Sequence, residues 1–114
     1  MHIASADINM ATNYTAVLTG TSSISNVNTV AGDTTGLVTA TVTADTASNL
    51  NTGLSNATST DALTLTVNGA TATATDLIGL DSKTSVDITV SATSVNGNFS
   101  DLNTVYVTNK DNYT

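Results

Sequence analysis

The chain has no cysteine, proline, tryptophan, arginine or glutamate. Without cysteine there is no disulfide framework and no thiolate metal site. Only Lys83 and Lys110 oppose nine aspartates, so the formal net charge is −7. A phosphate-binding surface needs clustered Lys and Arg, and that shortage argues against nucleic-acid binding and against attraction to anionic lipid. Apolar runs stop at three or four residues, far short of a membrane span, so no membrane insertion is expected. The first residues lack a basic stretch followed by an apolar one, and no secretory signal is expected there. With one Phe and three Tyr, a core has to come from Val, Leu, Ile and Ala.

What is present is equally biased. Thr occurs 25 times, Asn 13 times and Ser 12 times, so three short polar residue types make up 50 of the 114 positions. Thr is β-branched and suits a pleated, half-buried surface, while Asn and Ser favour turns. The Glu, Lys, Pro and Gln enrichment of disordered chains is missing. Composition therefore predicts an ordered, all-β, turn-rich molecule.

A short phrase recurs along it: Ser25-Asn26-Val27-Asn28-Thr29-Val30, Ser48-Asn49-Leu50-Asn51-Thr52-Gly53-Leu54, Thr75-Asp76-Leu77-Ile78-Gly79-Leu80 and Ser100-Asp101-Leu102-Asn103-Thr104-Val105. Its first apolar residue steps by 23, 27 and 25 positions. An alternating segment precedes each phrase, at Ala16–Gly20, Val38–Val42, Leu63–Val67 and Val86–Val90. Alternation predicts a half-buried strand, and apolar residues three or four apart predict a helical turn. Ser25, Ser48, Thr75 and Ser100 stand as its expected N-caps. The unit is then a strand, a corner, a short helical or 3₁₀ turn and a loop to the next strand. One unit cannot bury its apolar edge alone, so several must stack.

These features predict a parallel β-solenoid-like repeat of about four ~25-residue units. Residues 1–15 form a cap or linker and 16–114 the repeat domain, in units of about 16–36, 37–62, 63–85 and 86–111. An Ig-like antiparallel β-sandwich is the alternative, since about seven short strands in roughly 100 residues also fit that class. Val42, Val67 and Val90 separate the two: in a solenoid they stand in one column, in a sandwich at least one lies in the opposite sheet. Residues Tyr106 onward read as the start of a further strand, and Gly32-Asp33, Asn68-Gly69 and Asn96-Gly97 as turns.

The phrases "TGLVTATVT", "ATATDLIGL" and "GNFSDLNTVYV" resemble tandem repeats in very large surface proteins of marine cyanobacteria and related bacteria, and similar stretches in phage structural proteins. The resemblance covers roughly residues 16–108. It implies an extended, non-enzymatic repeat in an adhesin, a motility-linked surface layer or a virion fibre.

Chemistry finds little to work with. His2 is the single histidine and is terminal, which suits neither a Ser-His-Asp arrangement nor a zinc site. Asp76 and Asp101 occupy equivalent places in successive phrases, beside Asn26 and Asn49, and the local role for such residues is turn capping. The alternative is calcium, which takes six to eight oxygens, with Asp76, Asp101, Asp33 and Asp81 as ligand candidates and Asp45 and Asp61 in further loops. Neither an EF-hand loop nor a glycine-rich calcium nonapeptide is present. The sequons at Asn13, Asn56, Asn98 and Asn112 are what this composition produces by chance. The Tyr residues could form a sugar-binding platform, but Tyr106, between Val105 and Val107, reads as core or edge packing.

The sequence-level expectation is thus a structural or adhesive segment of an extracellular surface protein or fibre, and not an enzyme. A small virion decoration or fibre protein and an Ig-like binding module are the alternatives. Expected partners are neighbouring repeats or identical chains, with a surface glycan or protein beyond them.

Overall fold

In a computed structural model, residues 12–114 are described. They run β1 (Ala16–Ser22), α1 (Ile24–Asp33), β2 (Val38–Val42), α2 (Ala47–Gly53), β3 (Ala62–Thr64), β4 (Thr66–Val67), β5 (Thr71–Thr73), α3 (Ala74–Asp81), β6 (Thr89–Val90), β7 (Ser94–Asn96) and α4 (Phe99–Asn103). A wide π-type turn, Thr104–Thr108, continues α4, and a 3₁₀ turn, Lys110–Asn112, follows.

This corrects the all-β, solenoid-like expectation. The described residues are mixed α/β, with four α-helices and short parallel strands in three small sheets, ordered β1-β2-β3, β4-β6 and β5-β7. The Ig-like sandwich is also overturned, because every strand pair among the described residues is parallel. Two causes lie behind the error. Thr was read as a strand former, yet Thr29 in α1 and Thr104 after α4 donate their hydroxyls to the carbonyls of Ser25 and Ser100, four residues back, at 2.9 and 3.1 Å. That back-bonding lets a β-branched residue sit in a helical turn. The strands, for their part, are only two to seven residues long, and Leu65 interrupts the third alternating segment between β3 and β4.

The helices start two residues earlier than the phrases suggest. Their N-caps are Ser23, Thr46, Thr73 and Asn98, not Ser25, Ser48, Thr75 and Ser100. Each cap side chain accepts the N–H of the residue three on, Asn26, Asn49, Asp76 and Asp101, at 2.8–3.2 Å. With the cap moved back, α1 gains room for ten residues, and Gly32-Asp33 closes the helix rather than making a turn. Asn68-Gly69 does turn, Gly69 having φ +89°.

Strand pairs join positions 20–25 residues apart. Ala16 opposes Val38, Thr39 opposes Ala62, Thr66 opposes Thr89 and Thr71 opposes Ser94. Val67 lies directly opposite Val90, but Val42 opposes Ser22, and the neighbour of Val67 on its other side is Asp45. The expected valine column therefore holds for one pair only. In β1 the register slips between Val17 and Thr21, and Gly20, at φ +69°, supplies the left-handed backbone that the bulge requires.

Among the described residues, the buried hydrophobic ones are Ala, Val, Leu and Ile alone. Val38, Ala40 and Val42 point in from β2, and Val27, Val30, Leu50, Leu77 and Leu80 point in from the helices. The buried polar residues among those described, Thr34, Asp61 and Thr84, lie where a helix returns to a strand. Thr34 donates to the carbonyl of Tyr14 and accepts from the Gly36 N–H. Thr84 donates to the Leu63 carbonyl at 2.7 Å and accepts from the Leu63 and Val86 N–H groups. Among the described residues each buried side-chain polar atom has a partner, as the low dielectric demands.

Candidate functional site

The described surface changes character at its C-terminal face. Here β7 bonds to β5 on one side, with Val95 opposite Ala72, and no strand pairs with its other side among the described residues. Next come α4 and the π-type turn, which carry three of the exposed large apolar side chains among the described residues. Phe99 is 84 % exposed, Tyr106 59 % and Val107 61 %. Tyr106 is therefore not the core or edge residue expected. Its segment is a helical turn, and the next strand-like contact comes only at Tyr113, which bridges Ile88 in parallel.

Beside Tyr106 lies a half-open cleft of about 290 Å³, floored by Leu77, Val90, Val95 and Val105 and edged by Tyr113 and Lys110. Its far wall is pinned in place. Thr114 exchanges backbone hydrogen bonds with β6 and its approach, Val90 N–H to Thr114 C=O at 2.7 Å and Thr114 N–H to Ile88 C=O at 2.8 Å. The Asn109 and Asn112 amides both donate to Asp81 Oδ2, at 3.3 and 3.1 Å. The Tyr113 hydroxyl donates to the Leu77 carbonyl at 3.1 Å. Burial, then the negative charge of Asp81, pushes the Tyr113 phenol up to about 12. At the other end the Tyr14 hydroxyl donates to Asp33 at 2.6 Å, and its ionisation is likewise held back to about 12 by burial, that hydrogen bond and the Asp33 charge.

A folded phenol near 12 against an ordinary value near 10 binds its proton more tightly in the native state. The stability it contributes is complete below pH 10 and is lost as pH rises through 12. Chemical-denaturation midpoints should therefore fall between pH 10 and 12. Tyr14→Phe should reduce that slope and remove a late component of the tyrosinate absorbance titration. A slope identical to the parent's would refute the role of Tyr14.

The four calcium candidates are not brought together. Asp76 Oδ1 accepts from the Asn51 amide of α2 at 3.2 Å, and Asp101 Oδ2 accepts from the Thr75 hydroxyl of α3 at 3.1 Å. Asp33 is bonded to Tyr14, and Asp81 to the C-terminal asparagines. No group of three or more His, Cys, Asp or Glu side chains that could hold a metal gathers among the described residues. Asp76 and Asp101 do not cap with their side chains either. They sit in the first turns of α3 and α4 and tie each helix to the one before it. Gly79 permits the first of these ties, since a Cβ there would come within 2.6 Å of Asn51 Oδ1. Asp45 closes on its own turn, accepting from the Thr46 N–H and the Asn49 amide.

Of the sequon asparagines, Asn56 is bonded to Asn28, Asn98 caps α4 and Asn112 holds Asp81. His2 and most of the expected 1–15 cap lie outside the described residues.

Sequence reasoning missed Phe99 and Lys110. The available signal for Phe99 was its position, directly after a capping Asn and before the phrase Ser100-Asp101-Leu102. In α1 and α3 the matching position, Ile24 or Ala74, is at least partly buried. No family model, curated protein or solved structure matches this chain.

Proposed function

We propose that this chain is a structural or adhesive segment of an extracellular surface protein or fibre, acting through contact rather than catalysis. The observation that carries the proposal is the segment after β7, where Phe99, Tyr106 and Val107 are exposed, together with an edge of β7 that has no strand partner among the described residues. Exposed apolar side chains gathered at one place mark contact surfaces, and an open strand edge invites main-chain pairing. The rest of the described surface is dominated by Thr, Asn, Ser and Asp, which suits a segment that stays hydrated while one face makes contacts.

An antibody against the chain, applied to the cells or particles that carry it, tests the proposal. Labelling of intact, unpermeabilised cells or of particle surfaces is expected. Labelling that appears only after permeabilisation would overturn it.

A further inference from the structure

We propose that the Asn68-Gly69 turn is a self-modifying site, where water converts Asn68 to aspartate and isoaspartate while the fold protects the chain's other Asn-Gly pair. The inference goes beyond the contact role and does not depend on it.

Two asparagines precede a glycine, Asn68 and Asn96. Such a pair carries its own reactants. Attack of the glycine main-chain nitrogen on the asparagine Cγ closes a five-membered ring, and glycine has no side chain to block the approach. A solvent base takes the glycine N–H proton, the nitrogen bonds to Cγ, and the Cγ–Nδ2 bond breaks with release of ammonia. Water then opens the succinimide. Opening at Cγ gives Asp, and opening at the main-chain carbonyl gives isoAsp, whose backbone runs through the side chain. Either product adds one negative charge, taking the chain from −7 to −8.

Both asparagines are exposed, so solvent access does not separate them. What separates them is how freely the glycine nitrogen can swing onto Cγ. Neither the Asn68 side chain nor the Gly69 N–H has a hydrogen-bond partner among the described residues. On one side the Asn68 N–H is fixed to the Asp45 carbonyl at 2.9 Å. On the other the Ala70 carbonyl accepts the Ser94 N–H at 3.1 Å and the Thr93 hydroxyl at 2.9 Å. Between those anchors the swing falls on Gly69, already in the left-handed region at φ +89°. A Cβ placed there would meet Thr46 Cγ2 alone, at 3.4 Å, so the space around it is open.

Asn96 has the opposite setting. It ends β7 opposite Thr73, and its Oδ1 accepts the Ser94 hydroxyl at 3.1 Å. A Cβ on Gly97 would come within 2.8 Å of the Ala74 Cβ and 3.7 Å of the Asp101 Cβ. Asn98, the next residue, is fixed as the cap of α4 by the Asp101 N–H at 2.8 Å. Ring closure at Asn96 therefore has to wait for β7 and the start of α4 to open together.

The position of the turn gives the change a consequence. Residues 68–70 are the whole link between β4 and β5, which belong to different sheets. IsoAsp inserts one more main-chain carbon into that link, between two anchored ends.

The two lysines make the test direct, because trypsin cuts the unfolded chain so that Asn68 lies in 1–83 and Asn96 in 84–110. The whole folded chain is aged in mildly alkaline heavy-oxygen water, then unfolded, digested in ordinary water and weighed by mass spectrometry. Each conversion leaves a label. Fragment 1–83 should gain it at least about tenfold faster than 84–110, the ratio expected when one site must first open locally. In concentrated urea the two rates should converge, since only the Asn-Gly pair itself then remains. Asn68→Gln should leave 1–83 unlabelled, because the longer side chain closes a larger ring slowly.

Equal rates in the folded chain overturn the proposal, as does faster labelling of 84–110. So does a folded chain whose 1–83 fragment stays unlabelled while the unfolded chain converts, or a label in 1–83 that survives Asn68→Gln.

Discussion

Leu50→Ala is expected to lower the free energy of unfolding by about 3–4 kcal/mol, the largest single loss foreseen for a side-chain truncation here. Leu50 projects inward from α2, in the middle of the described chain, and is fully buried. Leu54, Leu63 and Leu77 belong to the same cluster of aliphatic residues. Removing its branched end takes away the transfer energy of three carbons and leaves a void. The void cannot collapse easily, because α2 is fixed on both sides. Its Asn51 amide is bonded to Asp76 of α3, and a Cβ on Gly53 would collide with Ile24 of α1. A domain of this size has only about 5–15 kcal/mol to lose, so the change should be plain in urea denaturation. Phe99→Ala is the matched control. It removes a larger side chain from a site that is 84 % exposed, and should change stability by no more than about 0.5 kcal/mol. Equal losses from the two variants would refute the placement of α2 and α4.

Asp61→Ala should cost about 3 kcal/mol by a different route. Asp61 is 3 % exposed, yet it is no stray charge. Its Oδ1 accepts the Val38 N–H and its Oδ2 the Thr58 N–H, both at 3.0 Å. The Asp61 carbonyl accepts from the Ser85 N–H at 2.8 Å, so one residue links β2, its own loop and the approach to β6. Alanine would remove both charge-assisted bonds and strand the buried Val38 amide without an acceptor. Asp61→Asn keeps one acceptor oxygen and should lose about half as much. The two variants are best compared by denaturant midpoint at constant pH. An asparagine variant as unstable as the alanine one would show that the paired acceptors are not what Asp61 supplies.

These two residues also illustrate how far the sequence could be read. Leu50 was legible, because Leu50 and Leu54 stand four apart beside equivalent pairs, and both are buried. The alternation in β2 was legible too, with Val38, Ala40 and Val42 all inside. Asp61 was not, since a carboxylate in a polar loop normally faces water, and only the fold reveals that two amides wait for it. The helix starts were misplaced because Ser and Thr occur at almost every candidate position, so the hydroxyl that caps is decided by tertiary packing. The strands β5 and β7 are too short to leave a periodic signal. The fold class was misjudged because a count of Thr does not say which threonines lie in strands and which bond back along a helix. At the candidate site, the lone Phe of an aromatic-poor chain would be placed in the core on composition alone, and it lies outside.

The even spacing of the strand pairs has a kinetic consequence. Among the described residues, ladder partners are never more than about 25 residues apart in the sequence, from Ala16 with Val38 to Ile88 with Tyr113. Each pairing therefore closes a loop of nearly the same length, at nearly the same entropic cost. No early, long-range closure has to precede the rest. Order can begin at whichever pair of strands meets first and spread outward to its neighbours, and a weakness at one joint slows the chain there without setting the pace of the others.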